Sequence, residues 1–357
     1  MAKTICKYLS DEIQFVDNRI VPCGSRLWDG FNDNAEKYFI KPDKNLKNVD
    51  FDLYFERRNK YIKMYENGEE PEFCKGCFIY APSDEYIGDI ESRVKSPEYK
   101  FKRIHINHKT ICSCRCIYCC LADNGDLERF KIMNQQQTYN IMPILEQIEK
   151  KNLIDENTQL CIFGGECTEY PEELSQIIDF GLKHNCGFIA LSNGIIYSEK
   201  IEELLKKGKV ELRFSLDSGT KKTYQKVKRV KAYDRVMANI ERYSNVAKTN
   251  PHAGILLKYI ICPGVNDSIK EVQSFLKTAD KFGINKAILS INRFWLIKNS
   301  KNRVPNAIRQ VILYWYKNKD FPNIGRAIDS DELWPWWVDK ILSEKSVLDI
   351  FSRRYLK

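Results

Sequence analysis

Residues 101–122 read FKRIHINHKTICSCRCIYCCLA, and the order of features along this stretch decides the fold. The apolar alternation of 101–107 predicts a strand. Directly after it come Cys112, Cys114, Cys116, Cys119 and Cys120, five cysteines in nine residues. Cys112, Cys116 and Cys119 fall in the pattern C-x3-C-x2-C, with Tyr118 just before the last, and no other choice within the run gives that spacing. Three thiolates on one loop can hold three irons of a cubic [4Fe–4S] cluster and leave the fourth iron open. Cys114 and Cys120 are then spare. The alternatives are disulfides and zinc, the latter pairing Cys116-x2-Cys119 with an upstream Cys74-x2-Cys77.

Outward from the cysteine run, strand and helix patterns alternate. Short apolar runs at 159–165 (QLCIFGG), 188–194 (FIALSNG), 210–217 (VELRFSLD), 254–261 (GILLKYII) and 287–292 (AILSIN) predict buried parallel strands. Between them, PEELSQIIDFGLKH, SEKIEELLKKG and SIKEVQSFLKTADKFG have the spacing of amphipathic helices. Six successive βα units from about 101 to 292 predict an α/β protein built around parallel strands. Ligands bind at the carboxyl ends of such strands, which is where the cysteine loop lies.

A C-x3-C-x2-C loop with an aromatic before its third cysteine resembles the signature of the radical S-adenosylmethionine (radical SAM) enzymes. The resemblance covers roughly 101–295 and implies a partial (β/α)6 TIM-like barrel. It also implies that the open iron chelates SAM, whose reductive cleavage gives a 5′-deoxyadenosyl radical that abstracts a substrate hydrogen. Gly164-Gly165-Glu166, at the end of the second strand, is similar to the family's GGE motif, whose backbone approaches the amino group of SAM; glycines permit that approach. Ser192 and Asn193 at the end of the third strand, and Ser215 with Asp217 at the end of the fourth, resemble SAM-contacting strand ends, although such residues also form ordinary turns. In SGTKKTYQKVKRV (218–230), the resemblance implies a basic residue for the SAM carboxylate, Arg229 ahead of Lys228. The segment ICPGVNDS predicts a tight turn and a helix capped near Asp267 or Ser268.

Four more cysteines, Cys6, Cys23, Cys74 and Cys77, precede this core. Strand-like alternation before Cys23, a helix over NVDFDLYFERRNKYIKMYENG, then Gly-x2-Pro-x2-Cys-x2-Cys is similar to the SPASM and twitch cluster-binding segments. In relatives these usually follow the barrel. The resemblance implies a second [4Fe–4S] cluster, with four-cysteine zinc as the alternative. Cys161, Cys167, Cys186 and Cys262 read as small buried hydrophobes, Cys167 being the one able to face the site. The expected organisation is therefore 1–98, a cysteine-rich auxiliary cluster segment; 99–295, the radical SAM core; and 296–357, a helical tail containing Trp315, Trp334, Trp336 and Trp337.

Composition sets the remaining bounds. No apolar run in the 357 residues approaches the roughly 20 needed to span a bilayer, and the start lacks a signal-peptide pattern. A soluble cytoplasmic protein is expected, in which 13 cysteines favour metal ligation over disulfides. The charge of +9 reads mostly as solvated lysines on helix faces and would suit an anionic substrate, an anionic sugar included, or an acidic partner; no compact basic and aromatic motif points to nucleic acid. By analogy with relatives carrying auxiliary clusters, the expected reaction is an oxidation, either sugar or cyclitol dehydrogenation or peptide modification, fed by flavodoxin or ferredoxin. The alternatives are a redox-neutral epimerase or rearrangement enzyme, and a non-catalytic zinc scaffold.

Overall fold

The computed structural model describes residues 5–6, 9, 11–16, 19–22, 40, 48–69, 71, 82–83, 99–119, 121, 126–135, 139–292, 295, 305–317 and 325–328. In chain order the elements are β1 (Ile5–Cys6), β2 (Glu12–Val16), β3 (Arg19–Val21), α1 (Phe51–Glu66), β4 (Pro82–Ser83), β5 (Arg103–Asn107), α2 (Leu127–Gln135) and α3 (Met142–Lys150). They continue as β6 (Gln159–Ile162), α4 (Pro171–Lys183), β7 (Gly187–Ser192), α5 (Glu199–Lys206), β8 (Val210–Ser215), α6 (Lys221–Lys228) and α7 (Tyr233–Ala247). The last are β9 (Gly254–Ile261), α8 (Ile269–Phe282), β10 (Lys286–Ile291), α9 (Asn306–Lys317) and β11 (Gly325–Ile328). The alternation is that of an α/β protein, consistent with a partial TIM-like radical SAM core. The chain divides into two compact units, 1–111 with 134–190, and 112–133 with 191–357.

In the first unit the strand order is β7-β6-β5-β2-β3, all parallel except the β2–β3 hairpin. Ile104, Ile106, Leu160 and Ile162 are buried, as strands covered on both faces require. Gly181 lets α4 lie close to the strands, since a Cβ there would sit 2.4 Å from the Phe188 ring. The N-terminal segment contributes directly to this unit. β2 pairs in parallel with β5, and α1 is the crossover between them, a βαβ unit ahead of the six expected ones. Asp50 caps α1 by accepting from the Leu53 amide, Tyr54 Oη donates to the Glu12 carbonyl at 2.9 Å, and the Tyr54 and Phe101 rings meet edge to face.

In the second unit β8, β9, β10 and β11 pair in parallel in that order. Ser268 is the cap of α8, accepting from Glu271 N, while Asp267 Oδ2 accepts from Gly264 N at 2.8 Å. Among the described residues after 295 is the expected helix, α9, whose Trp315 is buried near Phe275. It then adds β11 beside β10, so the extension is not purely helical. Four residues, GRAI, carry too little alternation for a strand to be read without its partner. Trp334, Trp336 and Trp337 lie outside the described residues.

Candidate cluster and cofactor residues

The cysteine loop belongs to the second unit, where it is tied to the end of α6. Arg115 N donates to the Lys228 carbonyl at 3.1 Å and Ile117 N to the Val227 carbonyl at 3.0 Å. These bonds satisfy carbonyls that a helix C-terminus otherwise leaves open. Within the loop Cys119 N donates to the Cys116 carbonyl at 3.1 Å, and Cys114 N to Cys112 Sγ at 3.4 Å. Cys112 and Cys119 are half-buried, whereas Cys114 and Cys116 are buried. Cys120 lies outside the described residues.

Tyr118 is fixed by a buried ion pair. Lys228 Nζ reaches Asp217 Oδ2 at 2.5 Å and donates to Tyr118 Oη at 2.6 Å; Tyr118 Oη in turn donates to Asp217 Oδ2 at 2.5 Å. Asp217 holds a left-handed backbone at φ 55°, and its Oδ1 accepts from Ile260 N at 2.8 Å. Burial alone would lower the Lys228 pKa, but Asp217 and Cys116 carry it above its ordinary value. Lys228 is thus committed to Asp217, while Arg229 is exposed at the left-handed C-cap of α6. Asp217 was expected, at most, as a SAM contact at a strand end; no sequence signal pairs it with Lys228.

The Cys116 thiol is drawn down to about 7, first by a hydrogen bond from Cys114 and then, against burial, by the Lys228 charge. The Cys114 thiol moves the opposite way, raised by its hydrogen bonds to Cys112 and Cys116 and by burial. Iron–sulfur clusters take thiolates, so this donor set fits a cluster. Cys114, spare by spacing, is in contact with two of the three candidate ligands. Among the described residues no three His, Cys, Asp or Glu side chains gather on a point suited to one metal ion. A cube needs no such convergence, because each thiolate has its own iron.

Ser192 ends β7 and Asn193 follows it in a tight turn. Ser192 Oγ accepts from Gly194 N at 3.0 Å, Asn193 Oδ1 accepts from Ile195 N at 2.9 Å, and Asn193 Nδ2 donates to Cys112 Sγ at 3.7 Å. Ser215 is the half-buried last residue of β8.

Gly164, Gly165 and Glu166 belong to the first unit. Both glycines have positive φ, +79° and +50°. A Cβ on Gly164 would sit 2.9 Å from Asn107 Cα, and one on Gly165 would sit 2.4 Å from the Ile111 carbonyl oxygen. Glu166 N donates to that same carbonyl at 2.7 Å, one residue before Cys112 in the chain. The Glu166 side chain is buried and turned inward, accepting from Thr168 N and Oγ1, so it is the main chain of the motif that remains for a ligand. Cys167 is fully buried with its thiol toward Glu166, and its pKa is pushed up by burial.

A second polar network in this unit was not anticipated. His108 Nε2 meets Glu173 Oε1 at 3.1 Å, Lys109 Nζ pairs with Glu173 Oε2, and Glu173 Oε1 accepts from Ile141 N at 2.9 Å. Burial raises the Glu173 carboxyl, but His108 and Lys109 outweigh it and bring the value to about 2. Of the upstream cysteines, Cys6 lies on β1 with its side chain outside the described residues, and Cys23, Cys74 and Cys77 lie outside them altogether.

Residues 106–276 match the family model of the Radical SAM superfamily, so the chain carries a radical SAM domain. The chain is an enzyme, and domains of this superfamily use a [4Fe–4S] cluster and S-adenosylmethionine. Among solved structures it is similar to Streptococcus suis SuiB bound to precursor peptide SuiA, with 12% identity over 92% of this chain and 73% of that one, at a TM-score of 0.48. A radical SAM methyltransferase from Sphaerobacter thermophilus shares 12% identity over 61% of this chain and 63% of that one, at 0.40. A domain of pyruvate-formate lyase-activating enzyme from Bacteroides vulgatus shares 17% over 47% and 96%, at 0.37. Among curated protein sequences none matches. No helix among the described residues is long and apolar enough to cross a membrane.

Proposed function

We propose that this radical SAM enzyme carries out a substrate oxidation, with Cys112, Cys116 and Cys119 holding the SAM-binding [4Fe–4S] cluster and Cys6, Cys23, Cys74 and Cys77 a second one. When bound, the first cluster and SAM supply a 5′-deoxyadenosyl radical able to take a hydrogen atom from the substrate. The observation that carries this reading is the C-x3-C-x2-C loop directly after β5.

The chain's own residues do the positioning. Lys228 and Val227 hold the loop by their carbonyls, and the Lys228–Asp217 pair holds Tyr118. The Gly164-Gly165 main chain is the candidate to face the SAM amino group, Ser192, Asn193 and Ser215 its remaining strand-end contacts, and Arg229 its carboxylate. The second site is supported by β1 and β4: Cys6 registers opposite Pro82, five residues from Cys77 in sequence. Four further thiols are the chemistry an electron acceptor requires, which favours oxidation over a redox-neutral outcome. The substrate is a small molecule, an anionic sugar among the candidates, or a peptide. A flavodoxin- or ferredoxin-type protein is the reductant.

The test follows 5′-deoxyadenosine after anaerobic reconstitution, reduction and addition of SAM. Wild type forms it, and a variant with Cys112, Cys116 and Cys119 all changed to Ala does not. Formation by that variant, or a reconstituted wild type holding zinc with no broad visible absorption, overturns the assignment.

A further inference from the structure

We infer that Asn193 tunes the reduction potential of the cluster on the cysteine loop through an N–H···S hydrogen bond to Cys112. The inference rests on the reading of Cys112 as a cluster ligand and adds a role that spacing cannot reveal. Asn193 Oδ1 accepts from Ile195 N at 2.9 Å, which fixes which end of the amide is the donor: Nδ2 faces Cys112 Sγ at 3.7 Å. A flipped amide would set its NH2 against the Ile195 N–H and its oxygen against the sulfur.

The donor is also held rigidly. Ser192 Oγ accepts from Gly194 N, and Asn239 Nδ2 from α7 donates to the carbonyls of Gly194 and Ile195 at 2.9 and 3.1 Å. Asn193 is buried. A second donor, Cys114 N, meets the same sulfur at 3.4 Å. Donors to a ligand sulfur draw off electron density and favour the reduced, more negatively charged state of a cluster. Asn193 is therefore a positioning residue for the electron that starts catalysis, acting through the Cys112 sulfur.

The experiment is a dithionite potentiometric titration of reconstituted full-length protein without SAM, followed by electron paramagnetic resonance. The signal to follow is the one that changes when SAM is added to a parallel sample. Asn193→Asp keeps the acceptor for Ile195 N and replaces the donor by an oxygen; Asn193→Ser removes the amide altogether. Both are expected to retain wild-type iron and to lower the midpoint potential. A tenfold loss in the reduction equilibrium, about 59 mV for one electron, is the expected scale. Wild-type potentials in both variants overturn the inference, as does loss of iron from both, which marks Asn193 as a structural support. A wild type without a cluster, or a Cys112, Cys116 and Cys119 triple variant that keeps the SAM-sensitive signal, overturns the ligand reading beneath it instead.

Discussion

At the scale of single residues, two buried ion pairs show how charge is kept at the ends of the strands. Lys228 and Asp217 are both buried, and each side chain finds further partners in Tyr118 and the Ile260 amide. Removing one member of such a pair strands the other charge, typically at a cost of about 3–5 kcal/mol. Glu173 makes the same point in the first unit and has a pH signature. Its carboxyl, near 4.5 in an unfolded chain, sits at about 2 when folded, so below about pH 5 the unfolded state binds protons more readily. The stability from this group is complete above about pH 5 and falls away as pH drops toward 2, by about 3 kcal/mol in all. Denaturant unfolding of wild type and Glu173→Gln from pH 6 to 3 is expected to give converging stabilities as the pH falls. Parallel curves would show that the His108 and Lys109 contacts contribute no pH-dependent stability. Asp217 lies 11 residues from Lys228 but 99 from Tyr118, and Glu173 lies 65 from His108. Spacing can single out Cys112, Cys116 and Cys119, which share one loop, but it cannot pair Asp217 with Tyr118 or Glu173 with His108.

At the scale of elements, the six core strands were legible because strands buried on both faces must be short apolar runs between turn residues. The N-terminal βαβ unit was not, because Glu12–Val16 becomes a core strand only through its pairing with Arg103–Asn107. Sequence assigned that region to a separate cysteine-rich segment, and alternation alone cannot name a strand's neighbour. The glycines of the Gly-Gly-Glu turn were legible as glycines, and the structure adds why both are needed: positive φ and main chain on the far side. Gly165→Ala forces a Cβ against the Ile111 carbonyl at φ +50° and is expected to cost about 1–3 kcal/mol. Gly187→Ala at the start of β7, where nothing lies within 4 Å, is the control and is expected to stay within about 0.5 kcal/mol. Equal denaturation midpoints for the two variants would refute the close-approach account.

At the scale of the whole molecule, the distribution of cysteines along the chain bears on how many clusters it holds. The family match spans 106–276, a stretch that includes Cys112, Cys116 and Cys119 and leaves Cys6, Cys23, Cys74 and Cys77 upstream of it. Backbone geometry limits how far some of these lie from one another. Cys6 pairs across β1 and β4 with Pro82, and the five residues back to Cys77 reach at most about 18 Å even fully extended. Cys74 and Cys77 are separated by two residues, and Cys23 follows β3 by two. Such a set can take a second cube or a single zinc, and metal analysis distinguishes them because the cube adds four irons and the ion none. Anaerobically reconstituted wild type is expected to hold about eight irons per chain, and a Cys74→Ala, Cys77→Ala variant about four, with its SAM-sensitive signal intact. About four irons in both proteins, with one zinc lost on substitution, would leave a single cluster and turn the N-terminal cysteines into a structural site. The substrate radical would then have no internal electron acceptor, and the redox-neutral reaction would become the better reading of the same core.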